Sequence, residues 1–463
     1  MKKDLYIPIE ILSRELDSKI LIILDLLINS NNEWSIYLGN IKKIGKFLNN
    51  KKKIPFVWFD KGVEVNELKL KKIIHNNGRA VLLDEEGGIK TKKHDEFPRG
   101  LKNNPAILLY SHIFFWGRET SEEWMKNHTL LNKNKTTITG NPRFDLSKIF
   151  FRDYFKKINL NLPNYNYIII STAFGNSNRR NPINSEYSDY WNSINKNTVN
   201  KIDFEIAEYQ QRLFKPYIDG IKNLINDFPD LKFILRPHPS EKKITYEEIF
   251  KNDSNIQVIS DRSIQDWLPN AITLIHNGCT TAIEGFFHGL NPICYAPIKG
   301  EGNEQYATFK ISHIAHNYIE LKKIFQDLIS KKIKNKNEKK IDYIKKHINN
   351  FGDINAYSII SKKIDSITFD KIKVNLPLKE KLKILFPNFF YELWTLVIKK
   401  YFSNQKIIEY KKGLLNDDKQ KFPKLELYDL RVRFDAYLNL FEKKSNIKIK
   451  CLDKDLFRIT INR

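Results

Sequence analysis

Short apolar runs that break into polar or glycine-rich residues recur along this chain, separated by amphipathic stretches of helix length. The pattern predicts strands at Leu5–Ile9, Trp34–Leu38, Pro55–Phe59, Ala80–Leu83, Ala106–Tyr110 and Thr136–Thr139. It predicts a helix over Ser13–Asn29 and another opening near Glu119. A second series predicts strands at Tyr167–Ser171, Lys232–Leu235, Gln257–Ile259, Ile272–Ile275 and Ile293–Tyr295, with a helix over Phe204–Asp227. Such alternation builds a parallel sheet with helices on both faces. Turn residues cluster between Asn141-Pro142-Arg143-Phe144-Asp145 and Leu162-Pro163-Asn164, which marks a boundary. The expected fold class is α/β: two doubly wound domains, residues 1–150 and 160–330, facing a cleft. Residues 331–463 are expected to form a basic, aromatic-rich, mostly helical extension.

Two segments fall outside that pattern. The Asn- and Ser-rich stretch from Gly175 to Lys201 is too long for a tight connection and fits either a functional lid or a disordered link. In the extension, a lysine and asparagine run over Lys331–Lys340 precedes the aromatic, lysine-flanked stretch Leu382–Phe402. The run reads as a solvated face, and the aromatic stretch as a helix packed on the protein's own core or lying in a membrane interface.

Composition narrows the classes. A chain of 463 residues with a hydrophobic share of 41% is long enough for two cores. Three scattered cysteines, Cys279, Cys294 and Cys451, exclude a disulfide framework and a four-cysteine zinc site, and they fit a reducing cytoplasm. No run reaches the ~18 to 20 apolar residues of a spanning helix, and the start Met1-Lys2-Lys3-Asp4-Leu5 has no signal-peptide core. The net charge of +24 favours nucleic acid, an anionic bilayer surface or phosphorylated substrates as partners. Lysine and asparagine also abound inside strands and helices, so part of that charge reads as compositional background.

The candidate chemistry sits where apolar strands end. Val81-Leu82-Leu83 runs into Asp84-Glu85-Glu86-Gly87-Gly88, where crowded carboxylates raise one another's pKa and the glycines let the backbone turn. This is either a solvated acidic turn or a general base for a sugar hydroxyl. In Arg236-Pro237-His238-Pro239 the flanking prolines hold the histidine extended, and Arg236 and His238 together are candidates to bind a phosphate. Asn277-Gly278-Cys279-Thr280-Thr281 precedes an expected helix through Gly289. Its backbone N–H groups and hydroxyls would face an anion, with Glu284 one turn on as a ribose acceptor, unless they simply cap the helix. Ser13 and Glu15 read first as a helix cap and acidic first turn, with acceptor binding by Glu10, Arg14 and Glu15 a second candidate role. His94, His112, His128, His238 and His276 lack paired ligand spacing, so no metal is expected.

The order of these motifs, with Thr139-Gly140-Asn141-Pro142-Arg143-Phe144-Asp145 between them, resembles a glycosyltransferase of the GT-B type, whose two domains are Rossmann-like. Tyr6-Ile7-Pro8-Ile9-Glu10, Ser13-Arg14-Glu15-Leu16-Asp17, Leu83-Asp84-Glu85-Glu86-Gly87, Phe115-Trp116-Gly117 and Ser171-Thr172-Ala173-Phe174-Gly175 resemble the bacterial surface carbohydrate biosynthesis family. The resemblance covers roughly residues 1 to 365. Glu85-Glu86-Gly87 and His238-Pro239 are similar to the acidic-acidic-glycine and His-Pro motifs of bacterial sialyltransferases. That likeness implies Glu86, with Glu85 beside it, as the base on the acceptor. It further implies His238 on the donor phosphate, assisted by Thr280 and Thr281, and a CMP-activated acidic sugar such as Kdo or a sialic-acid-like sugar. The expected partners are a nucleotide-sugar donor, a surface glycan or lipid-linked acceptor and an anionic membrane surface, with no cofactor beyond the nucleotide sugar. The expected location is cytoplasmic, at the inner face of the plasma membrane. Two rivals remain: a UDP-sugar 2-epimerase-like enzyme sharing the Gly140-Asn141-Pro142 linker, and a basic protein that binds nucleic acid without catalysis.

Overall fold

The computed structural model describes residues 1–46, 54–63, 67–87, 104–158, 162–175, 177–178, 201–300, 306–333, 338–353, 355–385, 421–444 and 446–462. Gly88, most of the Gly175–Lys201 segment, residues 334–337 of the lysine run and residues 386–402 of the aromatic stretch lie outside the described residues. The chain forms two compact units, one of residues 1–88, 99–145 and 346–463, the other built on residues 146–345.

The first unit holds β1 (Lys2–Ile9), β2 (Glu33–Asn40), β3 (Phe56–Asp60), β4 (Gly78–Leu83), β5 (His112–Phe115) and β6 (Thr136–Ile138). β2-β1-β3-β4-β5-β6 is a parallel run, so the strand order reverses between β1 and β3. The expected strand over Ala106–Tyr110 is instead a 3-10 turn, Pro105–Leu109, and the strand follows at His112. The reason is local: the Asn104 side chain accepts from Ala106 N–H at 3.0 Å, and Pro105 cannot donate to a ladder.

The second unit holds β7 (Tyr167–Ser171), β8 (Phe233–Arg236), β9 (Ile256–Val258), β10 (Ala271–His276), β11 (Ile293–Tyr295) and β12 (His313–Ala315). Its six-stranded sheet runs β12-β11-β10-β7-β8-β9, all parallel. Counted within the unit, this is the 3-2-1-4-5-6 order of a dinucleotide-binding fold, with its switch point between β7 and β10. Side chains on one face, among them Ile168, Ile170, Leu235 and Ile275, pack under Leu213, Tyr217 and Ile221 of the Lys201–Asp227 helix. The opposite face is closed by Trp267, Leu268 and Ala282.

The chain after residue 345 departs from the expected separate extension. Its hairpin, β13 (Asn446–Asp453) and β14 (Leu456–Asn462), continues the first sheet, β14 lying antiparallel to β2 and making eight strands in all. The hairpin turn comes so close that a Cβ on Gly39 would meet Asp455 O at 2.2 Å. The Ala356–Asp365 helix packs on the Leu12–Asn29 helix, whose run Ile20–Leu24 is wholly buried. A run apolar on all sides, as Ile20–Leu24 is, needs cover on all sides, and the late chain supplies part of it. Polar ties fix the contact. Asp365 Oδ1 accepts from Ser30 Oγ, Asn32 Nδ2 and Trp34 Nε1 at 2.5, 2.9 and 2.8 Å. Arg433 Nη1 donates to both oxygens of Asp17 at 2.7 and 2.9 Å, and Tyr437 OH adds a bond of 3.1 Å.

Because Asp17 is buried, Arg433→Leu strands a charge. It should lower stability against urea by about 2 kcal/mol. Lys215→Ala, which breaks an exposed pair with Asp219, should leave the urea midpoint unchanged. A chain ending at residue 420 should aggregate, because the edge of β2 loses its partner strand and the Leu12–Asn29 helix loses the Leu427–Leu440 helix packed on it; soluble, monomeric protein in sedimentation would contradict this.

Candidate functional site

In the first unit the ends of β1, β3 and β4 converge on a cluster of charges. Asp84, which follows β4, turns its carboxylate back to accept Glu86 N–H at 3.0 Å, while its carbonyl accepts from Trp116 Nε1 at 2.7 Å. Glu85 N–H donates to Lys61 O at 2.9 Å. These bonds aim the two glutamates in opposite senses: Glu85 is 2% exposed, whereas the Glu86 side chain is 47% exposed.

Glu85 faces cations. Lys19 Nζ lies 2.5 Å from Oε1, and Asn141 Nδ2 donates to Oε2 at 3.2 Å. Burial alone would raise the Glu85 pKa, but Lys19, Arg143 and Arg14 outweigh it and bring it down to about 2. Crowding of carboxylates, the expectation for this turn, is therefore not what governs Glu85. Lys19 Nζ also lies 4.4 Å from the centre of the Phe59 ring, a cation–π contact. Asn141 is itself held by Asn350, which accepts from Asn141 N–H and donates to Asn141 O, both at 2.9 Å.

Glu86 Oε1 accepts from Arg14 Nη2 at 3.1 Å. Glu15 is fully buried, and its two oxygens accept Glu10 N–H and Ile11 N–H, each at 3.1 Å, so it caps the Leu12–Asn29 helix. Glu10 bridges Lys61 at 2.5 Å and Lys421 at 3.2 Å. Glu10, Arg14, Glu15, Glu85 and Glu86 are thus brought together, with Glu86 the most exposed of these carboxylates.

In the second unit the ends of β7, β8 and β10 meet at the switch point. Asn277 Oδ1 accepts Ala173 N–H at 2.8 Å and bridges the parting strands. Its Nδ2 is buried with no hydrogen-bond partner among the described residues. Gly278 follows with φ +109°, a conformation costly for any other residue. The Thr281–His288 helix starts three residues later, and the Thr280 hydroxyl makes no capping bond to it. Thr281 Oγ1 contacts Cys279 Sγ at 3.1 Å. At the end of β8, His238 Nδ1 accepts Ser240 N–H at 3.3 Å and lies 2.8 Å from Ser240 Oγ. In the neutral ring this leaves the proton on Nε2, and Pro239 fixes the turn between the two residues.

Two of the residues singled out from the sequence are occupied elsewhere. Arg236 donates through Nη1 to Asp261 O and through Nη2 to Arg262 O, both at 2.9 Å, and its guanidinium stacks 5.5 Å from Trp267. Glu284 is 4% exposed and accepts from Gln265 Nε2 at 3.5 Å.

Pattern reading passed over two others. His276, the last residue of β10, accepts Gly278 N–H at Nδ1 at 3.0 Å and donates from Nε2 to Ser312 Oγ at 2.8 Å. Burial lowers its pKa to about 3, so the ring stays neutral and fixes the Gly278 turn. Glu241, fully buried, binds the ends of both β7 and β8. A histidine ending an apolar strand and a glutamate three residues after the His-Pro turn were the available signals.

No protein-family model matches the chain. No curated protein matches it either. Among solved structures, a UDP-GlcNAc 2-epimerase of Methanocaldococcus jannaschii with UDP-GlcNAc and UDP is similar at 15% identity. The alignment covers 79% of this chain and 99% of that one, with a TM-score of 0.48. The UDP-GlcNAc 2-epimerase of Neisseria meningitidis bound to UDP-GlcNAc gives 11% identity, 79% and 99% coverage and a TM-score of 0.47. The wall teichoic acid polymerase TagF gives 12% identity, 79% and 88% coverage and a TM-score of 0.47. At such identities residue roles do not transfer.

Lys19→Met leaves the buried Glu85 without its nearest cation and should cost on the order of 3 kcal/mol, most of it recovered in the Lys19→Met, Glu85→Met double variant. Glu85 has a folded pKa of about 2 against an ordinary 4.5, so its stabilisation is complete above pH 4.5 and lost as pH falls through 2. Acid titration followed by tryptophan fluorescence should therefore show the Lys19→Met variant unfolding at a higher pH than the native protein.

Proposed function

We propose that this chain is a glycosyltransferase that takes a sugar from a nucleotide donor held by the second unit, with Glu86 of the first unit as the base on the acceptor hydroxyl. The observation that carries the reading is the switch point between β7 and β10. A left-handed turn at Gly278, a helix start whose Thr280 hydroxyl makes no capping bond, and a buried, unpartnered amide N–H of Asn277 support a site there for an anion such as a nucleotide phosphate.

His238 supplies Nε2–H to the leaving phosphate, and Thr280 and Thr281 add hydroxyl donors beside it. Arg236 and Glu284 act behind this surface, the first ordering the loop after β9 and the second the helix that carries the threonines. As the acceptor oxygen bonds to the anomeric carbon, its proton passes to Glu86 and the carbon–oxygen bond to phosphate breaks. Glu86 suits that task because it is accessible to solvent, whereas Glu85 is locked into Lys19. Arg14 pairs with the Glu86 carboxylate and fixes its position. The donor is a CMP-activated acidic sugar, by the motif likeness, and the acceptor a surface glycan or its lipid-linked precursor.

A thermal-shift titration with CMP, CDP, UDP and GDP tests the nucleotide. CMP should raise the melting temperature most, and the rise should disappear in His238→Ala. Glu86→Gln should keep the CMP shift while lowering transfer by at least about 100-fold. Unchanged transfer in a folded Glu86→Gln protein would remove Glu86 from the mechanism. A UDP preference with product formed in the absence of acceptor would replace transfer by epimerisation.

A further inference from the structure

Among the described carboxylates of the second unit, Glu241 has a setting of its own. It follows the turn after β8, is fully buried and receives four neutral donors. Oε1 accepts Phe174 N–H at 2.8 Å and His238 N–H at 3.3 Å. Oε2 accepts from Thr172 Oγ1 at 2.8 Å and from Tyr246 OH. Glu241 N–H also donates to His238 O at 2.8 Å. One side chain therefore joins the loop leaving β7 to the turn leaving β8, and the residue grips His238 through both backbone groups.

We infer that Glu241 is a positioning residue that sets His238 and the loop after β7 for the donor anion, a role that rests on reading the second unit as the nucleotide-sugar unit. The donors divide by chemistry. The two N–H groups on Oε1 can only donate, whereas the two hydroxyls on Oε2 can turn round and accept. An ionised carboxylate satisfies all four as donors. A neutral carboxyl keeps Oε1 accepting and gives its proton from Oε2 to Thr172 or Tyr246, so the grip on His238 survives in a weaker form. Besides His238, the titratable groups facing Glu241 are Tyr246, Tyr217 of the Lys201–Asp227 helix and Cys279 after β10. Burial raises the Glu241 pKa to about 7, opposed by its hydrogen bonds, so both forms are populated near neutrality.

Glutamine reproduces the neutral form, with its oxygen at Oε1 and its amide nitrogen towards the hydroxyls. Alanine removes the grip. Two readouts on the full chain separate the clamp from the nucleotide reading: hydrogen exchange at the Phe174 and His238 amides without ligand, and CMP affinity by calorimetry. Glu241→Ala should speed exchange at both amides and weaken CMP, each by about tenfold or more, while Glu241→Gln stays within about threefold. Exchange corrected for its intrinsic pH dependence should be slower at pH 8 than at pH 6 in the native protein and flat in Glu241→Gln. Unchanged exchange in Glu241→Ala overturns the clamp whatever CMP does. Faster exchange with unchanged CMP affinity overturns its role in binding. A native protein that ignores every nucleotide overturns the donor reading, and the exchange data still decide the clamp. If Glu241→Ala does not fold, the pH comparison with Glu241→Gln decides alone, and equal profiles overturn the inference.

Discussion

A carboxylate cut off from water must be surrounded by charge and donors, and in the first unit Glu85 imposes that demand on everything near it. Its partners come from far apart in the chain: Lys19 from the long buried helix, Asn141 and Arg143 from the segment after β6. Asn350, from the returning chain, in turn fixes Asn141 and donates to Asp145 at 2.7 Å. Asp145 then accepts Tyr357 N–H at 3.1 Å, which seats the start of the Ala356–Asp365 helix. One buried charge thus ties the end of β4, the first helix and the late chain into a single arrangement. Glu86 follows Glu85 directly, so its exposure and its pairing with Arg14 are consequences of where Glu85 is held.

The second unit solves the same problem without cations. Glu241 is as buried as Glu85, yet every donor it receives is neutral, and the balance falls the other way. Burial wins over hydrogen bonding at Glu241, whereas the coulombic field wins over burial at Glu85. The first arrangement gives a fixed charge over the whole neutral range. The second gives a group whose proton occupancy responds to pH, placed where it grips the backbone of His238.

Strand ends were the most legible part of the sequence, because a short apolar run that stops at Pro, Gly or Asn has few other readings. His238, Asn277 and Gly278 stand out that way, and they follow β8 and β10, the two strands that flank β7 in the sheet. The 3-10 turn at Pro105 was misread since five apolar residues carry no period that separates a strand from a turn, and the Asn104 cap decided it locally. The hairpin was missed although Ile447, Ile449 and Cys451 alternate with polar residues, as do Phe457, Ile459 and Ile461. Arg236 was read as a free phosphate ligand from its place beside His238, and only the fold shows the carbonyls of residues 261 and 262 filling its guanidinium. The link from Asn350 to Asn141 spans 209 residues, and no local pattern encodes a contact of that kind.

The same long-range pairing gives some of the cations behind the net charge of +24 a place inside the fold. A cation engaged by a buried carboxylate neutralises a cost of folding and contributes little field at the surface. Lys19, Arg143 and Arg14 act on Glu85, Lys61 and Lys421 on Glu10, and Arg433 on Asp17. Lys421 and Arg433 belong to the basic late chain itself, where the sequence suggested an anchor for an anionic surface. In the described part of that chain these cations are bound inward, to acids of the helix and strand that open the molecule. Lys421 and Arg433 thus help close the fold, while Lys443, Lys444, Lys448 and Lys450 of the same late chain stay exposed.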